Sequence, residues 1–85
     1  MKVYVITNRS FNQYEGEFVP EDQYDTYVIA DEGKAREKYL DLKASLTGFY
    51  YDMDMEFDHN DGDGMMTIWN EKYITKLMIE GVELG

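Results

Sequence analysis

The chain contains no cysteine, only one proline and only one histidine in 85 residues. Without cysteine it has neither a disulfide framework nor a thiolate metal site. It also lacks long apolar runs, and its first residues alternate and soon become polar, so neither a signal peptide nor a membrane span is expected. These absences predict a cytoplasmic protein that does not associate with a membrane.

Basic residues are scarce as well. Eight Lys and Arg stand against 18 Asp and Glu, which gives a formal net charge of −10. Fourteen of the acidic residues lie in two windows, 10–33 and 44–71, that contain no Lys or Arg. A surface built for solubility alone normally mixes the two signs. The segregation therefore indicates a function for the negative charge.

The apolar content is that of a folded protein. The hydrophobic fraction is 44%, and one Trp, eight Tyr and four Phe are available for a core. A chain of this length forms one small domain, here residues 1–85, with modest stability.

Local patterns predict the order of the secondary-structure elements. Residues 2–8 are typical of a strand inside a sheet, 9–22 of a long polar and aromatic connection, and 23–30 of a second, antiparallel strand. Asp31 is a suitable N-cap for a helix. The helix buries one stripe and ends before Gly48, a candidate C′ glycine; the stripe consists of Ala35, Tyr39, Leu42 and Leu46.

The second half of the sequence is predicted to form mainly β-strands. Residues 49–58 alternate strictly between apolar and acidic side chains, which predicts a strand with one solvated face. Residues 59–64 are typical of a turn and 65–70 of the partner strand. Residues 72–84 fit a short helix or a last strand, and their alternation favours the strand. The methionines of 53–66 are interpreted as core filling, with one of Met65 and Met66 exposed.

These elements predict an α+β fold, a small antiparallel sheet of four to five strands with one amphipathic helix packed on it. The segments "MKVYVITN", "YDTYVIADEGKAREKYLDLK" and "GFYYDMDMEFD" resemble those of small bacteriophage and bacterial proteins. Such proteins combine a β-hairpin, an "A/S-x-E-x-A" helix start and a Gly-Phe-Tyr strand. The resemblance implies the same fold and an origin in a phage or mobile element, and it implies nothing about chemistry.

The acidic strand suggests the function. Alternate residues of a strand lie roughly 6.5–7 Å apart on one side, which is similar to the phosphate spacing of a nucleic-acid strand. The chain is also similar in size, charge and strand patterning to acidic phage proteins that inhibit restriction enzymes or CRISPR effectors by imitating DNA. The expected contact residues are Tyr50, Asp52, Asp54, Glu56, Asp58, Asp61 and Asp63, with a second set of Tyr14, Glu15, Glu17, Glu21 and Asp22. The expected partner is a basic nucleic-acid-binding protein such as a nuclease or CRISPR effector, and no direct binding of nucleic acid is expected.

Two other interpretations stay open. The acidic face is also explained as the ordinary solvated face of an antiparallel sheet. Alternatively, the protein is a structural or regulatory module that self-associates, as a homodimer for example, or pairs with another protein through its apolar strands.

Catalytic and metal sites are not expected. "HNDGDG" (59–64) does not place acidic ligands at both ends of an EF-hand loop in either register, so it is interpreted as a turn. His59 has no candidate nucleophile beside it, and no phosphate-binding or dinucleotide glycine motif occurs. We therefore expect a non-enzymatic protein without cofactor or metal.

Overall fold

The first two strands form a long antiparallel hairpin in the computed structural model, which describes the backbone of residues 1–14 and 17–84 and the side chains of 1–12 and 25–84. Strand β1 spans Lys2–Tyr14 and β2 spans Glu17–Ile29. The two strands pair from Tyr4 and Ile29 to Tyr14 and Glu17. The prediction of a connection over 9–22 is therefore wrong, because most of that segment continues the hairpin.

Two features explain why this polar segment forms strands. The register shifts between Arg9 and Phe11, as in a β-bulge, which accommodates an irregular sequence without ending the hairpin. Pro20 lies on β2, which is an edge strand of the sheet, so its missing N–H interrupts no second ladder.

One helix, α1, spans Glu32–Asp52. Asp31 is its N-cap, as predicted, and its Oδ1 accepts a hydrogen bond of 2.9 Å from the Lys34 amide. The predicted end at Gly48 is wrong, because the helix continues for one more turn. Among the described residues no helix is long and apolar enough to cross a membrane.

Three further strands complete the sheet. Strand β3 spans Asp58–Gly62, β4 spans Met65–Trp69 and β5 spans Tyr73–Glu83. The predicted strands at 65–70 and 72–84 are confirmed. The predicted turn at 59–64 is mostly β3, and only Asp63 and Gly64 make the turn, Gly64 with a φ of 75°. The predicted strand over 49–58 is wrong, since it comprises the last turn of α1, a loop and the first residue of β3.

The five strands form one antiparallel sheet in the order β2-β1-β5-β4-β3, with α1 on one face. The α+β fold predicted from the sequence is confirmed. The predicted helix stripe also faces the sheet: Ala35 and Tyr39 are buried, and Leu42 and Leu46 pack against the core. The remaining members of the core cluster are Ile6, Tyr50, Met66, Ile68 and Leu77.

A candidate binding surface at the C-terminal end of the helix

The acidic segment 52–58 wraps around the C-terminal end of α1. Asp52 is the last helical residue, Met53 is the C-cap, and Asp54 has a positive φ of 53°. The amides of Met53 and Asp54 donate to the carbonyl oxygens of Tyr50 and Tyr51 at 3.3 and 3.4 Å. Asp54 thus occupies the left-handed position that usually holds glycine or asparagine after a helix.

Because these residues leave a helix instead of forming a strand, the predicted row of evenly spaced carboxylates does not exist. The prediction for Tyr50 as an exposed contact residue is also wrong, since its side chain is fully buried. Its hydroxyl lies 3.0 Å from Thr75 Oγ1. Tyr51, predicted to face the core, is 71% exposed instead. A strand over 49–58 would expose Tyr50 and bury Tyr51, and the helix does the reverse.

Four of the predicted acidic residues still stay together on the surface. Asp52, Asp54, Glu56 and Asp58 are all exposed. Three of them line an open groove between the helix end, the following loop, the start of β3, the end of β4 and the β4–β5 turn. The lining residues are Tyr51, Asp54, Met55, Glu56, Phe57, Asp58, His59, Trp69, Asn70 and Glu71. The structure therefore replaces a linear acidic row with an acidic and aromatic groove, named here the helix-end groove.

The aromatic wall of the helix-end groove is held by ring packing. The rings of Tyr51 and Phe57 meet edge to face, with 5.0 Å between centroids and an interplanar angle of 85°. Phe57 also packs at 5.9 Å against buried Tyr50, which connects the groove to the core. Phe49, one residue before Tyr50, is 57% exposed beside the same helix end. Exposed aromatic rings next to carboxylates offer cation–π and charge-assisted contacts to one arginine or lysine.

Asn70 fixes the floor of this groove. Its Oδ1 accepts hydrogen bonds of 2.8 Å from the amides of both Lys72 and Tyr73, which shapes the β4–β5 turn. Its Nδ2 donates to the Met53 sulfur at 3.4 Å, so the turn is attached to the helix C-cap. Glu71 is thereby held opposite the acidic loop.

The negative charge of the groove is not compensated locally. Within the described part of the chain, Asp52, Asp54, Glu56 and Asp58 form no ion pair. The last turn of α1 contains no basic residue. The C-terminal end of a helix carries partial negative charge from its unpaired carbonyl groups, so Asp52 adds to an already negative region.

Asp61 and Asp63, the other two residues of the first predicted set, lie away from the groove at the far end of β3. Asp61 contacts two side chains of the same protein. Its Oδ2 lies 3.2 Å from Lys43 Nζ on the helix and 3.9 Å from His59 Nδ1. Burial, together with the nearby Asp61 charge, raises the pKa of Tyr39 above its ordinary value. Asp63 is exposed in the β3–β4 turn.

The second predicted set is only partly described. The backbones of Tyr14, Glu17, Glu21 and Asp22 belong to the hairpin, but their side chains lie outside the described residues. Glu15 lies outside the described residues altogether.

No metal cluster appears in the described residues: none of their His, Asp and Glu side chains form a group of three or more that could hold an ion. Nδ1 of the exposed His59 lies 3.9 Å from a carboxylate oxygen of Asp61.

The sequence analysis missed Tyr51, Trp69 and Glu71 as parts of the groove. A usable signal was present, because the helix stripe continues beyond Leu46 at the same spacing, through Tyr50 to Met53. That continuation indicates a helix through residue 53 and puts Tyr51 on the solvent side. Trp69 and Glu71 come from the β4–β5 region, and only the tertiary fold brings them to the helix end.

Comparison with known proteins adds no relative: no protein-family model, no curated protein and no solved structure matches this chain.

Proposed function

We propose that this protein binds and inhibits a basic nucleic-acid-handling protein, such as a nuclease or CRISPR effector, through the helix-end groove. The observation that carries the proposal is the combination, at one helix end, of exposed aromatic rings with four exposed carboxylates that form no ion pair within the described residues. Nucleic-acid-binding proteins take most of their affinity from Lys and Arg contacts to phosphates. A clustered set of carboxylates competes for those same side chains.

The positions of two acidic residues support a role other than stability. Asp52 lies in the last helical turn, where negative charge costs roughly 0.3–1 kcal/mol relative to a neutral residue. Asp54 adopts a left-handed backbone conformation that glycine adopts without strain. Residues that lower the stability of a fold are typical of functional surfaces, because binding and stability often make conflicting demands.

The aromatic side chains supply specificity that charge alone lacks. Arginine stacks on aromatic faces and pairs with carboxylates at the same time. Tyr51, with its ring set by Phe57, is the exposed aromatic residue best placed for such a contact. In this mechanism the inhibitor occupies the phosphate sites of the target, and nucleic acid is excluded by competition. The origin in a phage or mobile element, and a role against host defence, belong to the same proposal.

The test compares two variants of equal charge. The groove variant carries Asp52→Asn, Asp54→Asn, Glu56→Gln and Asp58→Asn. The control variant carries four neutralisations at exposed positions elsewhere, Asp25→Asn, Glu37→Gln, Asp41→Asn and Glu83→Gln. Each changes the formal charge from −10 by +4 to −6. A target selected by affinity capture from bacterial lysate is purified and its DNA binding is measured with each protein added.

The native chain and the control variant should both displace DNA from the target, and excess DNA should displace them in turn. The groove variant should bind roughly fourfold to several hundredfold more weakly, because four lost charge pairs of roughly 0.2–1 kcal/mol each remove about 0.8–4 kcal/mol. Affinity should also fall as salt rises. Equal loss in both variants would show that only net charge matters. Unchanged binding by the groove variant would refute the proposed surface.

A further inference from the structure

The face of the sheet opposite α1 carries a set of apolar side chains that belongs to no described core. The strand register assigns each side chain to one of the two faces of the sheet. The face under the helix carries Ile6, Leu77, Ile79, Met66 and Ile68. Their neighbours along each strand point to the other side. On that side lie Val5, Phe11, Val28, Met65, Ile74, Met78 and Val82, named here the open face, together with Val3, which is buried, and Trp69, which lines the helix-end groove.

Several of these side chains are exposed although they are apolar. Val28 is 64%, Met65 48% and Met78 40% exposed. Met65 and Met78 pair directly across β4 and β5, and Met78 pairs with Thr7 at the midpoint of the β1–β5 ladder. Methionine is an adaptable residue that is common on binding surfaces. The interpretation as core filling holds for Met66 and Met53, which pack in or on the core, and Met65 is the exposed member of the pair 65 and 66, as predicted.

The open face also differs in charge from the rest of the molecule. The described charged side chains on this side of the sheet are Arg9, Lys76, Glu80 and, at the β3 edge, Asp58, so they balance, whereas the whole chain carries −10. Arg9 and Lys76 lie over the Phe11 ring, with 5.4 and 6.0 Å to the ring centroid. A second copy of this acidic chain would meet the least repulsion here, and each copy offers both signs of charge.

The size of the open face fits a stable pair. Taking a rise of about 3.3 Å per residue and a spacing of about 4.8 Å between strands, the five strands cover roughly 700 Å². Specific interfaces bury about 800 Å² on each partner. Two such faces pack at about 10 Å in a β-sandwich, the distance at which their side chains interdigitate.

We propose that the open face binds a second copy of this chain, so that two sheets pack face to face with the helices on the outside. The helix-end groove then stays accessible on each copy. Apart from Trp69 and Asp58, which lie where the two surfaces meet at the β3–β4 edge, this interface uses different residues from the helix-end groove, and the variants Met78→Glu and Leu40→Glu change no groove residue, so either proposal can fail while the other holds.

The experiment measures mass in solution by sedimentation equilibrium from about 1 to 200 µM. The disruptive variant is Met78→Glu, at the centre of the open face. The matched control is Leu40→Glu, which places the same charge at a 60% exposed apolar position on the helix. The native chain and Leu40→Glu should show twice the mass of one chain at high concentration. Met78→Glu should raise the dissociation constant by at least about 100-fold, because a buried unpaired charge costs roughly 3–5 kcal/mol.

Circular dichroism shows whether each variant is folded, and Met65→Glu replaces Met78→Glu if the latter is not. The dimer should become tighter as salt rises, since salt screens the repulsion between two chains of −10. A native chain that stays monomeric at 200 µM would overturn the proposal. Equal behaviour of the two glutamate variants, or a dimer that salt weakens, would overturn it as well.

Discussion

The hydroxyl groups of Tyr50 and Thr75 lie 3.0 Å apart in the interior of the protein, where they connect the last turn of the helix to the central strand β5. Thr75 Oγ1 also lies 3.3 Å from Ser10 Oγ on β1. The helix end is thus attached to two strands at once. Because this attachment fixes the helix through Asp52, residues 53–57 follow it as a loop and not as a strand.

Replacing Tyr50 by Phe removes one buried hydrogen bond and keeps the ring. We expect the free energy of unfolding to fall by about 0.5–1.5 kcal/mol. Tyr51→Phe, on a ring that is 71% exposed, is the matched control and should change stability by less than about 0.5 kcal/mol. Urea unfolding of both variants measures the difference. The reverse ranking would place Tyr50 on the surface and contradict the helix end described here.

Gly48 lies inside the helix, and a Cβ built on it meets no atom within 4 Å. Gly48→Ala should therefore raise the free energy of unfolding by about 0.5–1 kcal/mol, since alanine loses less backbone entropy in a helix. Thermal unfolding by circular dichroism measures this gain. A destabilised Gly48→Ala protein would instead support a helix that ends at residue 48.

Asp54 is the residue at which stability and binding are expected to conflict. Its φ of 53° is strained for a side chain with a Cβ, so Asp54→Gly should stabilise the protein by up to about 1 kcal/mol. The same change removes a groove carboxylate and should weaken capture of the proposed target. Unfolding and binding measured on the same preparation test both effects. A variant that gains stability and binds as well as the native chain would exclude Asp54 from the contact.

Alkaline pH should destabilise the protein. The pKa of Tyr39 is raised by burial and by the Asp61 charge, and that of Tyr4 is raised by desolvation and by its hydrogen bond to Glu32. Both phenols then lose their protons more readily in the unfolded chain, whose pKa is about 10. Their stabilising contribution is complete below pH 10 and is lost as pH rises through the folded-state values.

Urea midpoints at pH 8.5, 10 and 11.5 measure this loss. Tyr39→Phe should show a smaller decline between pH 10 and 11.5 than the native chain, because it removes one of the two shifted groups. An identical decline in the Tyr39→Phe protein would contradict the contribution of Tyr39.

The sequence alone determined the features that depend on local chemistry. Asp31 caps the helix because its carboxylate reaches the Lys34 amide, and no distant residue is needed for that. The spacing of Ala35, Tyr39, Leu42 and Leu46 is sufficient to bury one side of a helix. The alternation in 73–83 likewise matches the last strand. These patterns were sufficient to predict the α+β class and the positions of the helix and of most strands.

Tertiary structure decided where the helix ends and what the acidic residues form. Over 49–58 the sequence satisfies a period of two and, through Tyr50 and Met53, the helical period as well. The helix is formed because it buries Tyr50 against Thr75 and Phe57, contacts that involve residues as far as 25 positions away. Trp69, Asn70 and Glu71 join the groove for the same reason. Charge content was therefore visible in the sequence, whereas its arrangement around a helix end depended on long-range packing.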